Sequence, residues 1–175
     1  GASCFSRKDC LGADCTTGVG RSREMIRSRI PGVYVVHAGE EIGCVGSSNL
    51  VCASPDWLNH VDFAISFDRK GTKSIISHQM GNRTCSQTFI NSLSDALGMG
   101  HKADDSGSYT DSNEYIGVIP ECTNLSVGYY GQHTNKEWQD LEYADELRQA
   151  LINADWDSLI AAREPTKEDN EWYSY

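Results

Sequence analysis

The feature that most limits the fold of this chain is the alternation of short apolar runs with longer segments of helical periodicity. Residues 33–36 are wholly apolar, and residues 62–67 contain a second short run of the same kind. Runs of this length, rich in β-branched and aromatic residues, are typical of strands buried on both faces of a sheet. The alternation therefore predicts an α/β domain with a mostly parallel, mixed sheet between helices, a three-layer α/β/α sandwich.

Capping residues and apolar stripes place the helices and the remaining strands. Residues 16–30 resemble a helix that ends before Pro31, and residues 84–97 resemble a second one with three apolar side chains on one face. Residues 134–137 match the capping-box pattern and predict a third helix that begins at Thr134. Further strands are predicted at residues 73–77 and 125–127. The apolar stripe of the third helix is formed by Trp138, Leu141, Ala144, Leu147 and Leu151.

Length and charge exclude several classes of protein. A chain of 175 residues suffices for one domain with a sizeable core, which we place at residues 1–162, followed by a charged tail at 163–175. The net charge of −10 argues against nucleic acid as a partner. No apolar run approaches the ~18 residues of a membrane span, and no signal-peptide pattern is visible. The seven cysteines include no C-x-x-C pair, which favours buried thiols in a reducing compartment. We therefore expect a cytoplasmic protein without a membrane partner.

Polar residues that flank the predicted elements could carry chemistry. Asp14 precedes the first helix, Glu40 and Glu41 follow the first predicted strand, Asp68 follows the second, and His133 precedes the third helix. Because ligands of such sheets bind beyond the carboxyl ends of the strands, we expect these five side chains to converge. Four crowded carboxylates repel one another, and a divalent cation removes that cost. Oxygen ligands with one imidazole suit zinc, with manganese or cobalt as alternatives.

The adjacent glutamates can have separate roles, because successive side chains diverge from the backbone. One of them can bind a metal while the other faces a water molecule and acts as a general base. A bound metal lowers the pKa of its water toward ~7, so that a carboxylate can accept the proton.

Five segments of the sequence resemble motifs of the co-catalytic zinc peptidases, the family that contains bacterial leucyl aminopeptidase, peptidase T and glutamate carboxypeptidase, and they follow one another along the chain in the order of that family. Residues 40–47 resemble E-E-x-G-x-x-G-[SA], and residues 128–134 resemble G-Y-Y-x-x-H-T, the segment with the last metal histidine. Residues 12–19 resemble G-A-D-D-x-x-G-V, residues 62–68 resemble D-[FY]-A-x-x-x-D, and residues 111–113 resemble part of S-D-x-N. The resemblance extends over residues 11 to 150.

This resemblance implies a role for each candidate residue. Asp14 would bridge two metals, with its peptide bond to Cys15 a candidate for the cis form. Glu40 would be the general base, Glu41 and His133 would bind one metal, and Asp68 would bind the other. The cofactor implied is one or two zinc ions. The activity implied is an aminopeptidase-like exopeptidase that hydrolyses peptide or amide bonds in a peptide or N-acyl amide substrate.

Two departures from the family pattern matter. Cys15 stands where the family has a second Asp, although the first Asp is the one that bridges the metals. No H-x-D segment precedes Asp14, and in the family the histidine of that segment completes the metal site on the Asp68 side. We therefore expect a chain that is truncated at its N-terminus relative to the family, with an exposed sheet edge that could pair with a second copy. The alternatives are an inactive member that acts as a metal-binding or interaction domain, and an N-acyl amidohydrolase.

Overall fold

The structure, a computed structural model, describes residues 1–5 and 10–165. Its α-helices are α1 (Ala13–Arg27), α2 (Val45–Ala53), α3 (Gln87–Leu97) and α4 (Leu141–Asn153). Short 3-10 helices lie at Asp56–His60, Asp111–Tyr115 and Trp156–Ser158. The strands are β1 (Ser3–Phe5), β2 (Phe63–Arg69), β3 (Ser74–Ile76), β4 (His78–Gln79), β5 (Asn82–Arg83), β6 (Lys102–Asp104), β7 (Glu121–Ser126), β8 (Tyr129–Tyr130) and β9 (Trp138–Asp140).

The main sheet has the strand order β2-β7-β3-β6. Strand β2 runs parallel to β7, and β3 runs parallel to β6, but β3 and β7 are antiparallel. A smaller antiparallel sheet has the order β1-β9-β8. These pairings confirm the predicted α/β class with a mixed sheet. Strand β2 lies at one edge of the main sheet, and self-association through a sheet edge stays a prediction.

Apolar side chains cover both faces of the main sheet. Phe63 and Ile65 of β2 pack against one cluster, whereas Ala64 packs against another. Because successive strand residues point to opposite faces, the two clusters lie on opposite sides of the sheet. The first cluster contains buried residues of α1, α3 and α4, namely Met25, Phe89, Ile90, Leu93, Leu97, Leu147 and Leu151. The second includes Leu58 and Tyr115, with Leu50 of α2 packed against it. The sheet thus lies between helices, as the three-layer prediction requires.

The prediction of a buried strand at residues 33–36 is wrong. This segment has no regular secondary structure and pairs with no strand in the part of the chain that the structure describes. Val33 is 63% exposed and Val36 is 70% exposed. A strand requires a neighbour for its backbone groups, and β-branched composition alone does not provide one.

The prediction of a helix from Thr134 is also wrong in its start. Residues 138–140 form β9 instead, and Trp138 stacks on Tyr130 of the neighbouring strand with ring centroids 4.6 Å apart. Helix α4 begins at Leu141, because the side chain of Asp140 caps it by accepting a hydrogen bond from Tyr143 N at 3.0 Å. Of the rest of the predicted stripe, Ala144, Leu147 and Leu151 are buried as expected, but Leu141 is 43% exposed.

The prediction of α3 is confirmed with a shorter N-terminus. Ser86 caps this helix, since its Oγ accepts a hydrogen bond from Phe89 N at 3.1 Å. The first helix starts three residues earlier than predicted and ends at Arg27, and Asp68 lies within β2 rather than after it. Most of the predicted tail, residues 166–175, lies outside the described residues. None of the described helices is both long and apolar enough to cross a membrane.

Candidate metal centre

Asp14 lies in the first turn of α1, with only 7% of its surface exposed. One of its oxygens, Oδ1, accepts a hydrogen bond from Cys15 N at 2.8 Å. The other, Oδ2, is 3.0 Å from His133 Nε2. The peptide bond from Asp14 to Cys15 is not cis, so that part of the prediction is wrong.

His133 lies in the loop between β8 and β9, and its backbone is left-handed, with φ of +59°. Such a conformation is uncommon for a residue other than glycine, and the surrounding turn holds it. Thr134 Oγ1 donates to Gly131 O at 2.7 Å and accepts from Lys136 N at 3.1 Å. The loop thus presents the imidazole toward Asp14 and Glu41.

The two glutamates lie in the turn that precedes α2. The carbonyl of Glu40 accepts hydrogen bonds from the amides of Gly43 and Cys44, each at 3.0 Å, which closes the turn. Glu41 Oε1 is 3.0 Å from His133 Nε2. Of the two glutamate side chains in this turn, the one that contacts His133 is therefore that of Glu41.

Asp14, Glu41 and His133 form a group whose potential ligand atoms all lie within 4.8 Å of one another. In a tetrahedral zinc site with bonds of ~2.0–2.1 Å, ligand atoms are about 3.3 Å apart. The two 3.0 Å separations from His133 Nε2 are close to that value. Two carboxylates and one imidazole are also a donor set that zinc accepts. The residues present therefore fit a zinc ion.

Asp68 and Glu40 border this group and carry excess negative charge. Burial, and then the charges of Glu40 and Asp14, raise the pKa of Asp68 to about 7. Burial, and then the charges of Glu41 and Asp111, also raise the pKa of Glu40. Crowded acids of this kind hold a proton more tightly than isolated ones, and a cation is the alternative way to compensate their charge.

The same acidic neighbours favour the protonated form of His133. Burial by itself lowers the pKa of this imidazole, but the charge of Glu41 and the hydrogen bond with Asp14 outweigh it and raise the pKa. A single ring nitrogen faces two carboxylates, so a proton on Nε2 occupies the place that a metal ion would take. Proton and metal therefore compete for this position.

A cavity of about 550 Å³ opens beside the acidic residues. Its polar lining includes Asp14, Glu40, Glu41, Asp68 and Asp111. Its walls are largely apolar and include Val33, Val35, Trp57, Phe63 and Ile65. An apolar space with a few convergent polar groups is typical of a small-molecule site.

The structure brings Asp14 and Glu41 into contact with His133 and places Glu40 and Asp68 on the same cavity. Their roles as ligands and base stay predictions. The prediction did not include Asp111, which accepts a hydrogen bond from Ser47 Oγ at 2.6 Å and lines the cavity. Its place in the S-D-x-N resemblance was the signal that could have identified it. The sequence also did not predict that the side chain of Glu137 bonds to the start of α1, because the amides of Gly12 and Ala13 lie more than 120 residues away in sequence.

No protein-family model and no curated protein sequence matches this chain. Several solved structures do share its fold. The aminopeptidase PepT from Bacillus cereus superposes with a TM-score of 0.65 at 15% identity, over 86% of this chain and 74% of that one. The aminopeptidase APDkam598 from Desulfurococcus kamchatkensis has a TM-score of 0.57 at 19% identity, over 83% of this chain and 48% of that one.

A further similar structure is the dodecamer PhTET1-12s, with a TM-score of 0.61 at 17% identity, over 83% of this chain and 49% of that one. The chain therefore spans about half the length of two of these structures and three quarters of the PepT structure. At these identities the comparison shows that this chain shares its fold with the matched parts of these structures.

Proposed function

We propose that this chain is a metal-dependent hydrolase of peptide or amide bonds, of the aminopeptidase-like exopeptidase type. The observation that carries the proposal is the convergence of Asp14, Glu41 and His133, with both carboxylates 3.0 Å from the same imidazole nitrogen. The fold shared with aminopeptidase structures and the adjoining cavity support it.

Asp14, Glu41 and His133 would hold one zinc ion, and Asp14 and Asp68 would contribute to holding a second. When bound, zinc supplies a Lewis acid that polarises the scissile carbonyl and makes water more acidic. His133 must lose its proton to bind the metal, so occupancy should increase as the pH rises. Manganese or cobalt could replace zinc with the same donor set.

Glu40 has the properties of the general base. Its burial and its acidic neighbours raise its pKa, which makes the carboxylate a stronger proton acceptor than an exposed glutamate. Its side chain borders the cavity, where an attacking water and the scissile carbonyl would meet. Glu40 would take a proton from that water and later return it to the leaving amine.

The substrate we propose is a peptide or an N-acyl amide, with its reacting end at the acidic residues. The apolar walls of the cavity would accept an uncharged part of the substrate. An N-acyl amidohydrolase uses the same bond-breaking chemistry, so assays must include both aminoacyl and N-acyl amides.

The test is turnover by the purified chain with added zinc, manganese or cobalt. Glu40→Gln should retain the metal and lose roughly 10² or more in kcat, the usual effect of removing a general base. Glu24→Gln is the matched control, because Glu24 is paired with Arg27 on the surface of α1. A Glu40→Gln variant with full activity, or one that loses its metal, would contradict the assigned role.

The second candidate is a metal-binding module without turnover. The observation that favours it is the small number of candidate ligands. Among the residues that the structure describes, the group consists of Asp14, Glu41 and His133, and Asp68 is not part of it. Metal analysis separates the candidates when combined with the assay. Bound metal with turnover supports the hydrolase, bound metal without turnover supports the module, and the lack of bound metal contradicts both.

A further inference from the structure

Glu137 is a buried carboxylate whose hydrogen bonds reach a distant part of the chain. Only 1% of this residue is exposed. Its Oε2 accepts from Gly12 N at 2.8 Å and from Cys10 Sγ at 2.7 Å, and its Oε1 accepts from Ala13 N at 3.0 Å. Two of these donors are backbone amides at the start of α1, which lack partners within the helix. Glu137 thus caps α1 from outside, across more than 120 residues of sequence.

This contact joins the two segments that carry two of the candidate metal ligands. Asp14 follows Ala13 directly, and His133 precedes Glu137 by four residues in a tight turn. Within the turn, Glu137 N donates to Thr134 O at 3.2 Å, so its backbone and the His133 loop are connected. A shift of the carboxylate would therefore move Asp14 relative to His133.

We propose that Glu137 is a positioning residue, which fixes the start of α1 against the His133 loop so that Asp14 and His133 meet at one metal. This inference rests on the proposed metal-dependent function. Metal ligands need support from surrounding hydrogen bonds, because a ligand set of the right residues binds weakly when its members are free to separate. The 3.0 Å contact between Asp14 and His133 is the geometry that Glu137 would maintain.

Thr17 provides a control on the same interface. Its Oγ1 donates to Gln139 Oε1 at 2.9 Å, so it also joins α1 to the segment after His133, but one helical turn beyond Asp14. Thr17→Val removes that hydrogen bond with little change in shape, and it leaves the amides at the start of α1 bound to Glu137. Glu137→Gln replaces one accepting oxygen with an amide that donates, so at least one bond to α1 is lost.

The measurement is the affinity of the full chain for cobalt(II), followed through its visible absorption, with zinc measured by competition. The temperature is one at which circular dichroism shows each variant to be folded. Mutation of residues that support metal ligands typically lowers affinity 10–100-fold. We expect a loss in that range and an altered cobalt spectrum for Glu137→Gln, and an affinity within about twofold of wild type for Thr17→Val.

Wild-type affinity in Glu137→Gln, or an equal loss in Thr17→Val, would overturn this inference alone. A wild-type chain that binds neither metal would overturn the proposed function and this inference with it. If Glu137→Gln does not fold, Glu137→Asp decides the question, because it keeps the charge but shortens the side chain by one methylene. Reduced cobalt affinity in folded Glu137→Asp supports the positioning role, and unchanged affinity refutes it.

Discussion

The buried His101 should make the stability of the protein depend on pH between about 4 and 6.5. This side chain is only 4% exposed, and burial, followed by the charge of Lys73, lowers its pKa from 6.5 to about 4. Its Nε2 is 2.7 Å from Tyr143 Oη, and Tyr143 Oη donates to Ser126 O at 3.0 Å. Since that hydroxyl has one hydrogen, the imidazole must donate from Nε2 and leave Nδ1 unprotonated.

Protonation of Nδ1 would place a charged N–H where the described residues offer it no partner. The folded pKa is depressed, so the unfolded chain binds more protons between pH 4 and 6.5. Stability is therefore fully present above pH 6.5 and is lost as the pH falls through this window. The full difference corresponds to about 3 kcal/mol, of which about 2 kcal/mol is lost by pH 5.

The assay is urea unfolding of the metal-free wild type and of His101→Gln at pH 7.5, 6.5, 5.5 and 5.0. The acidic residues contribute almost equally to both proteins, so the difference between their pH profiles isolates His101. His60→Gln, at an exposed position, controls for the exchange of histidine for glutamine. We expect the advantage of wild type over His101→Gln to shrink by about 2 kcal/mol from pH 7.5 to 5.0. Parallel profiles would refute the reasoning.

Three further predictions follow from the site and the core. Zinc at one hundred times its Kd should stabilise the chain by about 2.7 kcal/mol, seen as a higher Tm, and His133→Ala should abolish that increase; an equal increase in the variant would exclude His133 as a ligand. Because the pKa of Asp68 is raised from 3.8 to about 7, its charge disfavours the metal-free fold at high pH. Asp68→Asn should therefore raise the Tm of the chelator-treated chain more at pH 8 than at pH 4, and the reverse order would contradict the raised pKa. Glu121→Gln should cost about 2–4 kcal/mol in urea unfolding, because Glu121 accepts four hydrogen bonds in the interior; a cost under ~1 kcal/mol would show that those donors find other partners.

The class of fold was predictable because local pattern and burial agree over most of the chain. In α3 the apolar residues Phe89, Leu93 and Leu97 repeat at the helical spacing and are all buried. The run at residues 62–67 became β2 because β7 pairs with it in parallel. The local sequence pattern thus predicted the correct element where the structure provides a core or a neighbouring strand for that element to pack against.

The errors arise where the partner lies far along the chain or does not exist. Residues 33–36 have the composition of a strand, yet no described strand lies beside them, and they line the cavity instead. The capping-box pattern at residues 134–137 requires Glu137 to bond its own turn, but the amides of Gly12 and Ala13 occupy that carboxylate. A local motif cannot show that a distant segment competes for the same acceptor.

The proximity of Asp14, Glu41 and His133 was predictable from motif order and from the placement of polar residues at the ends of predicted elements. The exact membership of the group was not, because the position of Asp68 within β2 and the turn that separates Glu40 from Glu41 depend on the backbone. The contact of His133 with both Asp14 and Glu41 depends on a left-handed loop residue, which its neighbours in sequence do not predict.

The hydrogen bonds of Glu121 also affect the order in which this protein can complete its fold during synthesis. Its carboxylate accepts from Ser86 on one side and from the amides of Ala162 and Arg163 on the other. Arg163 also donates to the carbonyls of Ile119 and Pro120, beside the same strand. Until residues 162 and 163 have emerged from the ribosome, the carboxylate of Glu121, at the start of β7, lacks two of its four hydrogen bonds. Strand β7 should therefore take its final place between β2 and β3 late, after the segments that precede it have begun to pack.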